Sequence, residues 1–363
     1  MQNKLKKFYS KKKILITGDT GFCGSWLTLF LNQLGSSVYG LSLYDKKKNL
    51  FHNSLKSIKN YHPYYCDLLD KKKVDKYLSK IKPDLVFHLA AQPLVIDAYK
   101  DFKGTINVNL IGTFNLLESL KYLKSVRDII VITTDKVYKE NNNHLSYKEE
   151  MPLGGLDPYS STKSMVEILC NTFRETIYED KKLFTARGGN IIGGGDFSDN
   201  RLIPDVINRV VISNKRLILR NPGFIRPWQH VLSLCYGYIL LPYFSHKSPN
   251  KIKNLNSFNF GPLNSRYYNV SEVINIFTKY WQQISGKEIK NSFQIKKNHK
   301  KFYESKILKL NSSRAAKYLG WKPLLNINNT LKITSEWYWN YLYNRKNILD
   351  FSKGQINEFL KKI

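Results

Sequence analysis

An apolar run followed at once by three evenly spaced glycines limits the folds open to this chain more than any other feature. The run KILIT (13–17) has the length of one buried strand, and Gly18, Gly21 and Gly24 follow it before the helical pattern SWLTLFLNQLG. In a strand–turn–helix unit, the first glycine permits the tight turn, the second a close approach of a pyrophosphate, and the third close packing of helix on strand. We therefore predict a dinucleotide site at the amino-terminal end of this helix.

The remainder of the first half alternates strand and helix patterns. Buried strands are predicted at 36–43, 84–91 and 128–134, and a long amphipathic helix at 107–123. Strands that alternate with helices favour a parallel, doubly wound sheet, and strands that are apolar on both faces require helices on each side. The expected fold is an α/β, Rossmann-type doubly wound parallel sheet.

The amino-acid composition changes near residue 190, where glycine, proline, asparagine and arginine become frequent. We expect a smaller C-terminal substrate-binding lobe after this point, with Ser271 as a candidate helix N-cap. The predicted division is a dinucleotide-binding domain carrying the catalytic residues at 1–189, a substrate lobe at 190–340 and a basic helical tail at 341–363.

The net charge of +30 indicates attraction to phosphates in general, whether of nucleotide, nucleic acid or anionic membrane. The lysines are spread along the chain beside asparagine and isoleucine, which indicates a compositional bias rather than a nucleic-acid surface. No apolar run is long enough for a signal peptide or a membrane span, so a soluble, cytoplasmic protein is expected. Widely spaced cysteines favour a reducing compartment and argue against a metal site: Cys23, Cys66, Cys170 and Cys235.

The strand at 128–134 ends in an unusual cluster of polar side chains. Val131 and Ile132 are apolar and β-branched, whereas Thr134, Asp135 and Lys136 bring a hydroxyl, an acid and an amine to the strand end. A surface ion pair would explain this stretch if it stood alone.

A tyrosine and a lysine four residues apart open the next predicted helix. Tyr159 and Lys163 would lie on one face of it, and a nearby ammonium lowers the pKa of a phenol, which makes the phenol usable as a base. The spacing alone carries little weight because it recurs in four other pairs: Tyr9/Lys13, Tyr44/Lys48, Tyr178/Lys182 and Tyr318/Lys322. Only Tyr159 and Lys163 open a helix after the polar strand end, so their position supports a catalytic role.

An acid after the second strand would bind a ribose 2′-hydroxyl and repel a 2′-phosphate. Asp45 is the candidate, although Lys46, Lys47 and Lys48 beside it could tolerate a phosphate. The pattern favours NAD over NADP. Asp67 lies where the loop after the following strand could meet the adenine.

These segments together resemble the CDP-glucose 4,6-dehydratases of the extended short-chain dehydrogenase/reductase superfamily. The similarity runs from about residue 12 to about residue 325, and two of its segments are typical of this branch, TTDK and IRPWQHV. The resemblance implies conversion of CDP-glucose to its 4-keto-6-deoxy form with NAD that is regenerated in each cycle. Such enzymes serve deoxysugar synthesis for surface polysaccharides, including lipopolysaccharide.

The resemblance assigns chemistry to the polar cluster. Tyr159 would take the proton of the C4 hydroxyl while C4 passes a hydride to NAD, Lys163 would assist Tyr159 and hold the nicotinamide ribose, and Thr134 would bind O4. Water then leaves across C5 and C6, and the hydride returns to C6. Asp135 is favoured as the acid at O6 and Lys136 as the base at C5. The two could exchange roles, or a charged Lys136 could stabilise the enolate. The dTDP-glucose enzymes carry glutamate at the position of Lys136.

The resemblance also implies binding residues. For the dinucleotide they are Gly18, Thr20, Gly21, Phe22, Gly24, Asp45, Asp67, Leu68, Leu89, Ala90, Ala91, Asn109, Tyr159 and Lys163. For the nucleotide sugar they are Gln92, Thr134, Asn190, Arg201, Leu202, Pro204, Arg220, Arg226 and Tyr303. Arg220 and Arg226 suit bidentate contacts to a diphosphate, whereas His230 is interpreted as structural. The helices containing 107–120 and 157–173 would form a four-helix homodimer interface.

Departures from the family pattern also carry expectations. Asp19 and Cys23 replace a histidine and a basic residue in the glycine turn, and Asp19 is expected to repel a pyrophosphate and weaken NAD retention. Tyr303 stands in place of histidine, and Asn311 in place of aspartate. The rival activities are a nucleotide-sugar 4-epimerase, which lacks the elimination pair, and a non-catalytic nucleic-acid-binding relative.

Overall fold

The computed structural model describes residues 1–44, 50–140, 145–219, 221–263, 266–289, 293–295, 303–344 and 347–363. The strands within these ranges, in chain order, are β1 (Lys13–Thr17), β2 (Ser37–Ser42), β3 (Tyr61–Tyr65), β4 (Leu85–His88), β5 (Asp128–Thr134), β6 (Lys182–Gly188), β7 (Ile191–Ile192), β8 (Leu217–Leu219), β9 (Ile225–Arg226), β10 (Gln229–His230), β11 (Ser257–Phe260), β12 (Tyr268–Asn269) and β13 (Phe293–Ile295).

The α-helices of the same ranges are α1 (Gln2–Tyr9), α2 (Phe22–Gln33), α3 (Leu50–Leu55), α4 (Lys71–Ile81), α5 (Val95–Lys100), α6 (Phe102–Ile106), α7 (Gly112–Lys121), α8 (Pro158–Thr172), α9 (Leu202–Asp205), α10 (Val231–Lys247), α11 (Pro249–Ile252), α12 (Val270–Ser285), α13 (Ser313–Leu319), α14 (Ile327–Tyr343) and α15 (Ile348–Leu360). Short π-helical segments join or extend three of them, at Asn107–Ile111, Phe173–Ile177 and Val206–Ile212. A 3₁₀ turn covers Asp135–Val137.

Seven strands form one parallel sheet in the order β11-β6-β5-β4-β1-β2-β3. Each neighbouring pair is parallel, with Ile16 opposite Phe87 between β1 and β4, and Ile132 opposite Ala186 between β5 and β6. The strand order reverses between β1 and β4, which places a crevice at the carboxyl ends of these strands. The predicted Rossmann-type fold is confirmed.

Both faces of the sheet are covered because adjacent residues of one strand enter different cores. Ile14 and Ile16 of β1 belong to a core with Trp26 and Phe30 of α2. Leu15, between them, packs into the opposite core, which Val74 and Leu78 of α4 also enter, together with residues of α7 and α8. The doubly apolar strands of the sequence therefore have the helical cover that they require.

The later part of the chain completes this sheet as well as building a lobe beside it. Strand β11 pairs with β6, and Phe359 of α15 packs edge-on against Phe30 of α2, with ring centroids 6.1 Å apart. Three small strand pairs, β7 with β10, β8 with β13 and β9 with β12, belong to the lobe. The division at 1–189, 190–340 and 341–363 stays a prediction.

One local expectation for the lobe is wrong. The side chain of Asn269, not Ser271, caps α12, because Asn269 accepts from the backbone of Glu272 while Glu272 accepts from the backbone of Asn269. This reciprocal arrangement is a capping box. Within the described ranges, none of the helices has the length and apolar character that crossing a bilayer demands.

Candidate active site

The glycine turn has the geometry that the sequence predicts at two of its three positions. Gly18 has φ of 74°, and a Cβ there would lie 2.6 Å from the backbone nitrogen of Ala90. A Cβ on Gly24 would lie 2.1 Å from the carbonyl oxygen of Gly18. Gly18 therefore permits the turn, and Gly24 lets α2 approach β1. Gly21 is the N-cap of α2 and puts no side chain between the helix end and the cleft.

A cleft of about 760 Å³ opens at the carboxyl edge of the sheet, where the strand order reverses. Its volume suits a large ligand. One end is lined by residues predicted to bind a dinucleotide: Gly18, Thr20, Gly21, Phe22, Gly24, Asp67, Leu68, Leu89, Ala90 and Ala91. The other end is lined by the catalytic candidates Thr134, Asp135, Lys136, Tyr159 and Lys163, and by the substrate-side residues Asn190, Arg201, Leu202, Pro204, Arg226 and Tyr303.

Asp19 is not among the described residues that line the cleft, and the expected repulsion of a pyrophosphate stays a prediction. Its buried carboxylate lies behind the turn against Gly40 of β2 and accepts hydrogen bonds from the hydroxyls of Ser42 and Tyr61. Burial raises the pKa of Asp19 to about 6, although the hydrogen bonds oppose the shift. A carboxyl with this pKa is mostly ionised at neutral pH.

Thr134, Asp135 and Lys136 occupy the end of β5 and the 3₁₀ turn that follows it. The Thr134 hydroxyl donates to Asp135 Oδ1 at 3.0 Å, whereas Oδ2 is buried and has no hydrogen-bond partner among the described residues. A Cβ on Gly189 would lie 2.2 Å from that oxygen. Burial raises the pKa of Asp135, and Lys136 and Thr134 offset only part of the increase. This environment favours the protonated carboxyl.

Tyr159 and Lys163 lie in the first turns of α8, which Asp157 caps by accepting from the backbone of Ser160. Both side chains are buried in the cleft wall, and the Lys163 ammonium donates to the carbonyl of Ile132 at 3.0 Å. Burial lowers the pKa of Lys163 to about 8. The predicted pairing is therefore present on one face of the helix and next to β5.

The pKa of Tyr159 differs from the prediction. The net pKa is about 12. Burial is the largest cause of the increase and Asp135 adds to it, whereas Arg201 and a hydrogen bond with Thr134 oppose it. Desolvation of the phenolate thus outweighs the positive charge of neighbouring side chains. The expectation that Lys163 sets a lowered pKa considered spacing along a helix and left out the burial of both groups.

Sequence reasoning missed Glu304, which lines the substrate end of the cleft. Its carboxylate accepts from the Arg226 guanidinium at 2.7 Å. Burial alone would raise the pKa of Glu304, but Arg226 and then Lys136 hold it below its ordinary value. Glu304 adjoins the predicted Tyr303, and that adjacency was the available signal.

Several predicted residues lie elsewhere. Gln92 and Asn109 do not belong to the described cleft lining, because Asn109 accepts from the backbone of Gln92 at 2.8 Å and donates to Thr162 at 3.0 Å. They tie the loop after β4 to α8. Asp45 and Arg220 lie outside the described residues. Across the described ranges, no group of three or more histidine, cysteine, aspartate or glutamate side chains is arranged to hold a metal.

His230 is remote from the cleft chemistry. It is fully buried and caps α10 by accepting from the backbone of Leu232 at 3.2 Å, and burial lowers its pKa to about 3. His230 is therefore neutral at physiological pH and holds a helix end, which agrees with the structural interpretation.

A glycine turn at the reversal of a parallel sheet, with a tyrosine and a lysine on the helix beside it, defines a protein of the extended short-chain dehydrogenase/reductase type. Within that class, the model of the GDP-mannose 4,6 dehydratase family matches residues 15–334, and the chain belongs to this family. The CDP-glucose 4,6-dehydratase of Salmonella typhimurium is 32% identical over 98% of each chain. The UDP-glucose 4-epimerase of Halalkalibacterium halodurans is 26% identical over 90% of this chain and 95% of its own.

Solved structures agree on the fold. The dTDP-glucose 4,6-dehydratase of Bacillus anthracis, determined in complex with NAD, matches 93% of this chain and 99% of its own with a TM-score of 0.73 and 20% identity. An epimerase from Methanothermobacter thermautotrophicus matches 95% of this chain and 97% of its own with a TM-score of 0.80 and 20% identity. At these identities the structural likeness concerns the fold.

Proposed function

We propose that this protein is an NAD-dependent 4,6-dehydratase that converts CDP-glucose to CDP-4-keto-6-deoxyglucose. One observation carries the proposal: Thr134, Asp135 and Lys136 share a single cleft with Tyr159, Lys163 and the glycine turn. Oxidation and elimination need both groups of side chains around one sugar. The Salmonella typhimurium relative, similar over almost the whole chain, supports CDP-glucose as the substrate.

The residues at the glycine turn suit NAD. The amino-terminal end of α2 opens on the cleft with no side chain at its N-cap, which favours a pyrophosphate. Lys163 would hold the nicotinamide ribose, and Asp67 would meet the adenine end. When bound, NAD would supply the hydride acceptor for C4 in its oxidised form and the hydride donor for C6 in its reduced form.

In the first half-reaction, Tyr159 takes the proton of the C4 hydroxyl. The phenol needs nearby positive charge to act as a base at neutral pH, since its pKa is raised to about 12, with burial as the largest cause. Arg201 contributes such charge from the protein, and Lys163 lies on the same helix four residues after Tyr159. Thr134, which hydrogen-bonds to both Tyr159 and Asp135, would bind O4 and fix its orientation.

In the elimination, the 4-ketone makes the C5 proton acidic, and the unprotonated amine of Lys136 takes this proton and becomes an ammonium. Asp135 gives its proton to the C6 hydroxyl, the C6–O bond breaks, and water leaves as the C5–C6 double bond forms. The raised pKa of Asp135 supports this role, because an acid must hold its proton until the leaving group needs it. Lys136 supports the base role as the amine adjacent to this acid on the same rigid turn.

The substrate lobe would bind the nucleotide diphosphate. Arg226 is the principal candidate, since a planar guanidinium matches a diphosphate, and Arg201, Asn190 and Tyr303 line the same end of the cleft. Glu304 would compete with the diphosphate for Arg226 and so influence substrate affinity.

We further propose that the protein forms a homodimer and works in the cytoplasm. Apolar side chains are exposed along the two helical regions expected at the interface, namely Ile111, Phe114, Met165 and Ile168. A four-helix contact would bury them. The four cysteines are all free thiols, which suits a reducing compartment.

The test is proton NMR of the protein with NAD and, separately, CDP-, dTDP-, GDP- and UDP-linked hexoses in deuterated water. A 6-deoxy methyl signal with CDP-glucose alone, with deuterium at C5, is the expected result. A methyl signal with another nucleotide would keep the chemistry and change the substrate. Inversion at C4 without a methyl signal would establish the rival 4-epimerase, and salt-dependent RNA or DNA binding without turnover would favour the nucleic-acid-binding alternative.

A further inference from the structure

The carboxylate of Asp19 accepts several hydrogen bonds at once. It accepts from the hydroxyls of Ser42 and Tyr61 and from the backbone N–H groups of Asp19 and Thr20. The side chain is buried, so these donors replace water around a negative charge. The fold therefore holds the Asp19 carboxylate in an anion-binding environment directly behind the glycine turn.

Strand β2 is shaped to receive this carboxylate. A Cβ on Gly40 would lie 1.9 Å from Asp19 Oδ2, so no larger residue fits there without displacing the acid. Ser42 is the last residue of β2, and it lines the cleft on one side while donating its proton to Asp19 on the other. The end of the second strand is where dinucleotide-binding folds recognise the adenosine ribose.

We propose that Asp19, acting through Ser42, determines the preference for NAD over NADP. The Ser42 proton is committed to Asp19, and the Ser42 oxygen accepts from the Thr20 N–H at 3.4 Å, so one acceptor position of this cleft-lining hydroxyl is left for a ligand. A ribose 2′-hydroxyl can donate to that oxygen, whereas a 2′-phosphate brings negative charge toward a buried carboxylate. Asp19 is a positioning residue for the ribose and a source of repulsion for the phosphate.

This inference rests on the dinucleotide cofactor of the proposed function and deepens it. It moves the selecting acid from the position after β2, where Asp45 stands in the sequence, to the turn after β1. A charge at Asp19 acts from behind the strand, with Ser42 as the contact residue. Substitution of Asp19 and substitution of Asp45 therefore have different expected results.

The experiment is calorimetric titration of the full-length protein, freed of any co-purified nucleotide, with NAD and with NADP. The measured quantity is the ratio of the two dissociation constants for the parent, Asp19→Asn, Ser42→Ala, Tyr61→Phe and Asp45→Asn. Asp19→Asn removes the charge at constant shape, and we expect the preference for NAD to fall by about tenfold or more, mainly through tighter NADP binding. Ser42→Ala should weaken NAD by several-fold and reduce the ratio.

Tyr61→Phe is the matched control. It removes one donor from the same carboxylate and so raises the pKa of Asp19 further. The titrations are therefore run at about pH 8.5, where the Asp19 charge, Ser42 and the described lining of the cleft stay in place. The NAD/NADP ratio should therefore stay at the parent value. If Asp19 has a purely structural role, Asp19→Asn and Tyr61→Phe should each weaken the binding of NAD and NADP equally. The ratio of the two dissociation constants then stays at the parent value in both variants.

Four results separate the possible failures. An unchanged ratio in folded Asp19→Asn overturns the inference and leaves the proposed function standing. A changed ratio in Asp45→Asn, with none in Asp19→Asn, assigns the selection to Asp45 and also overturns it. If the parent binds neither nucleotide, the proposed cofactor itself fails. Should Asp19→Asn not fold, as judged by circular dichroism, an unchanged ratio in Ser42→Ala is the overturning result.

Discussion

Two buried aspartates follow parallel strands of the same sheet, and they have opposite surroundings. Asp19, after β1, is 1% exposed, and Asp135, after β5, is 3% exposed. Both lie at the carboxyl edge of the sheet, and burial raises the pKa of each. Asp19 is supported by two hydroxyls and two backbone N–H groups. Asp135 has the Thr134 hydroxyl and its own backbone N–H, and its Oδ2 has no described partner.

The comparison teaches that burial alone does not decide what a carboxyl does. Donors stabilise the charged form, so Asp19 suits a fixed negative charge that organises a binding site. An oxygen without donors favours the protonated form, so Asp135 suits delivery of a proton. Each of the following predictions tests this difference, in order of decreasing expected effect.

Asp135→Asn should abolish dehydration while leaving C4 oxidation possible. Loss of a positioned acid costs about 10²–10⁴-fold in rate, so the 6-deoxy methyl signal should fall by that factor. Transient absorbance of reduced NAD at 340 nm should persist. The control is Asp180→Asn, an exposed aspartate, which should turn over like the parent. Product formation by Asp135→Asn at the parent rate would remove Asp135 as the acid.

Lys136→Met should also stall after oxidation, because no base then removes the C5 proton. The expected loss of product is again about 10²–10⁴-fold, and it is measured by loss of solvent deuterium incorporation at C5. Lys139→Met is the matched control, since Lys139 is exposed three residues further along and outside the described cleft lining. If deuterium enters C5 normally in Lys136→Met, Lys136 is not the base and Asp135 takes that role.

Tyr61→Phe tests whether the hydrogen bonds to Asp19 stabilise its negative charge. It leaves the Asp19 charge one donor short in a buried place, which costs roughly 1.5–3 kcal/mol for a hydrogen bond to a charged group. The free energy of unfolding from urea denaturation should fall by that amount. Tyr122→Phe, at a tyrosine that is 75% exposed, should leave it within experimental error. Equal stabilities for the two variants would mean that Asp19 is not held as a charge.

His230→Asn extends the contrast from buried acids to a buried base, with a smaller effect. The folded-state pKa of His230 is about 3, below the unfolded value near 6.5, so the unfolded state binds more protons in between. Stability from neutral His230 is present above pH 6.5 and is lost as the pH falls toward 3, at about 1.4 kcal/mol per pH unit.

Asparagine keeps an N-cap acceptor and does not titrate. The free energy of unfolding of His230→Asn should therefore fall less steeply between pH 6 and pH 5, by roughly 1 kcal/mol relative to the parent. Identical slopes for the two proteins would show that His230 does not contribute to the acid sensitivity.

Local features of the site could be predicted from sequence, because strand, turn and helix are adjacent in the chain. Gly18 and Gly24 have the predicted geometry, and Tyr159 and Lys163 share a helix face beside β5. The capping box at Asn269 was also visible as Asn-x-x-Glu and could have been found.

What could not be predicted depends on partners distant in the chain. The direction of Asp19 is set by Gly40 and Tyr61 on neighbouring strands, and sequence spacing does not reveal that Gly40 leaves room for a carboxylate. Glu304 reaches Arg226 only through the folding of the lobe. The raised pKa of Tyr159 follows from burial, which no spacing rule measures.

The packing of α15 on α2 has a consequence for the order of synthesis. The helix that opens the dinucleotide cleft packs through Phe30 against Phe359, so this contact forms only after residue 359 has left the ribosome. Strand β11 likewise joins the sheet late. Contacts this far apart in sequence slow folding and leave apolar surface exposed meanwhile. The nascent chain is therefore expected to depend on chaperones until α15 docks.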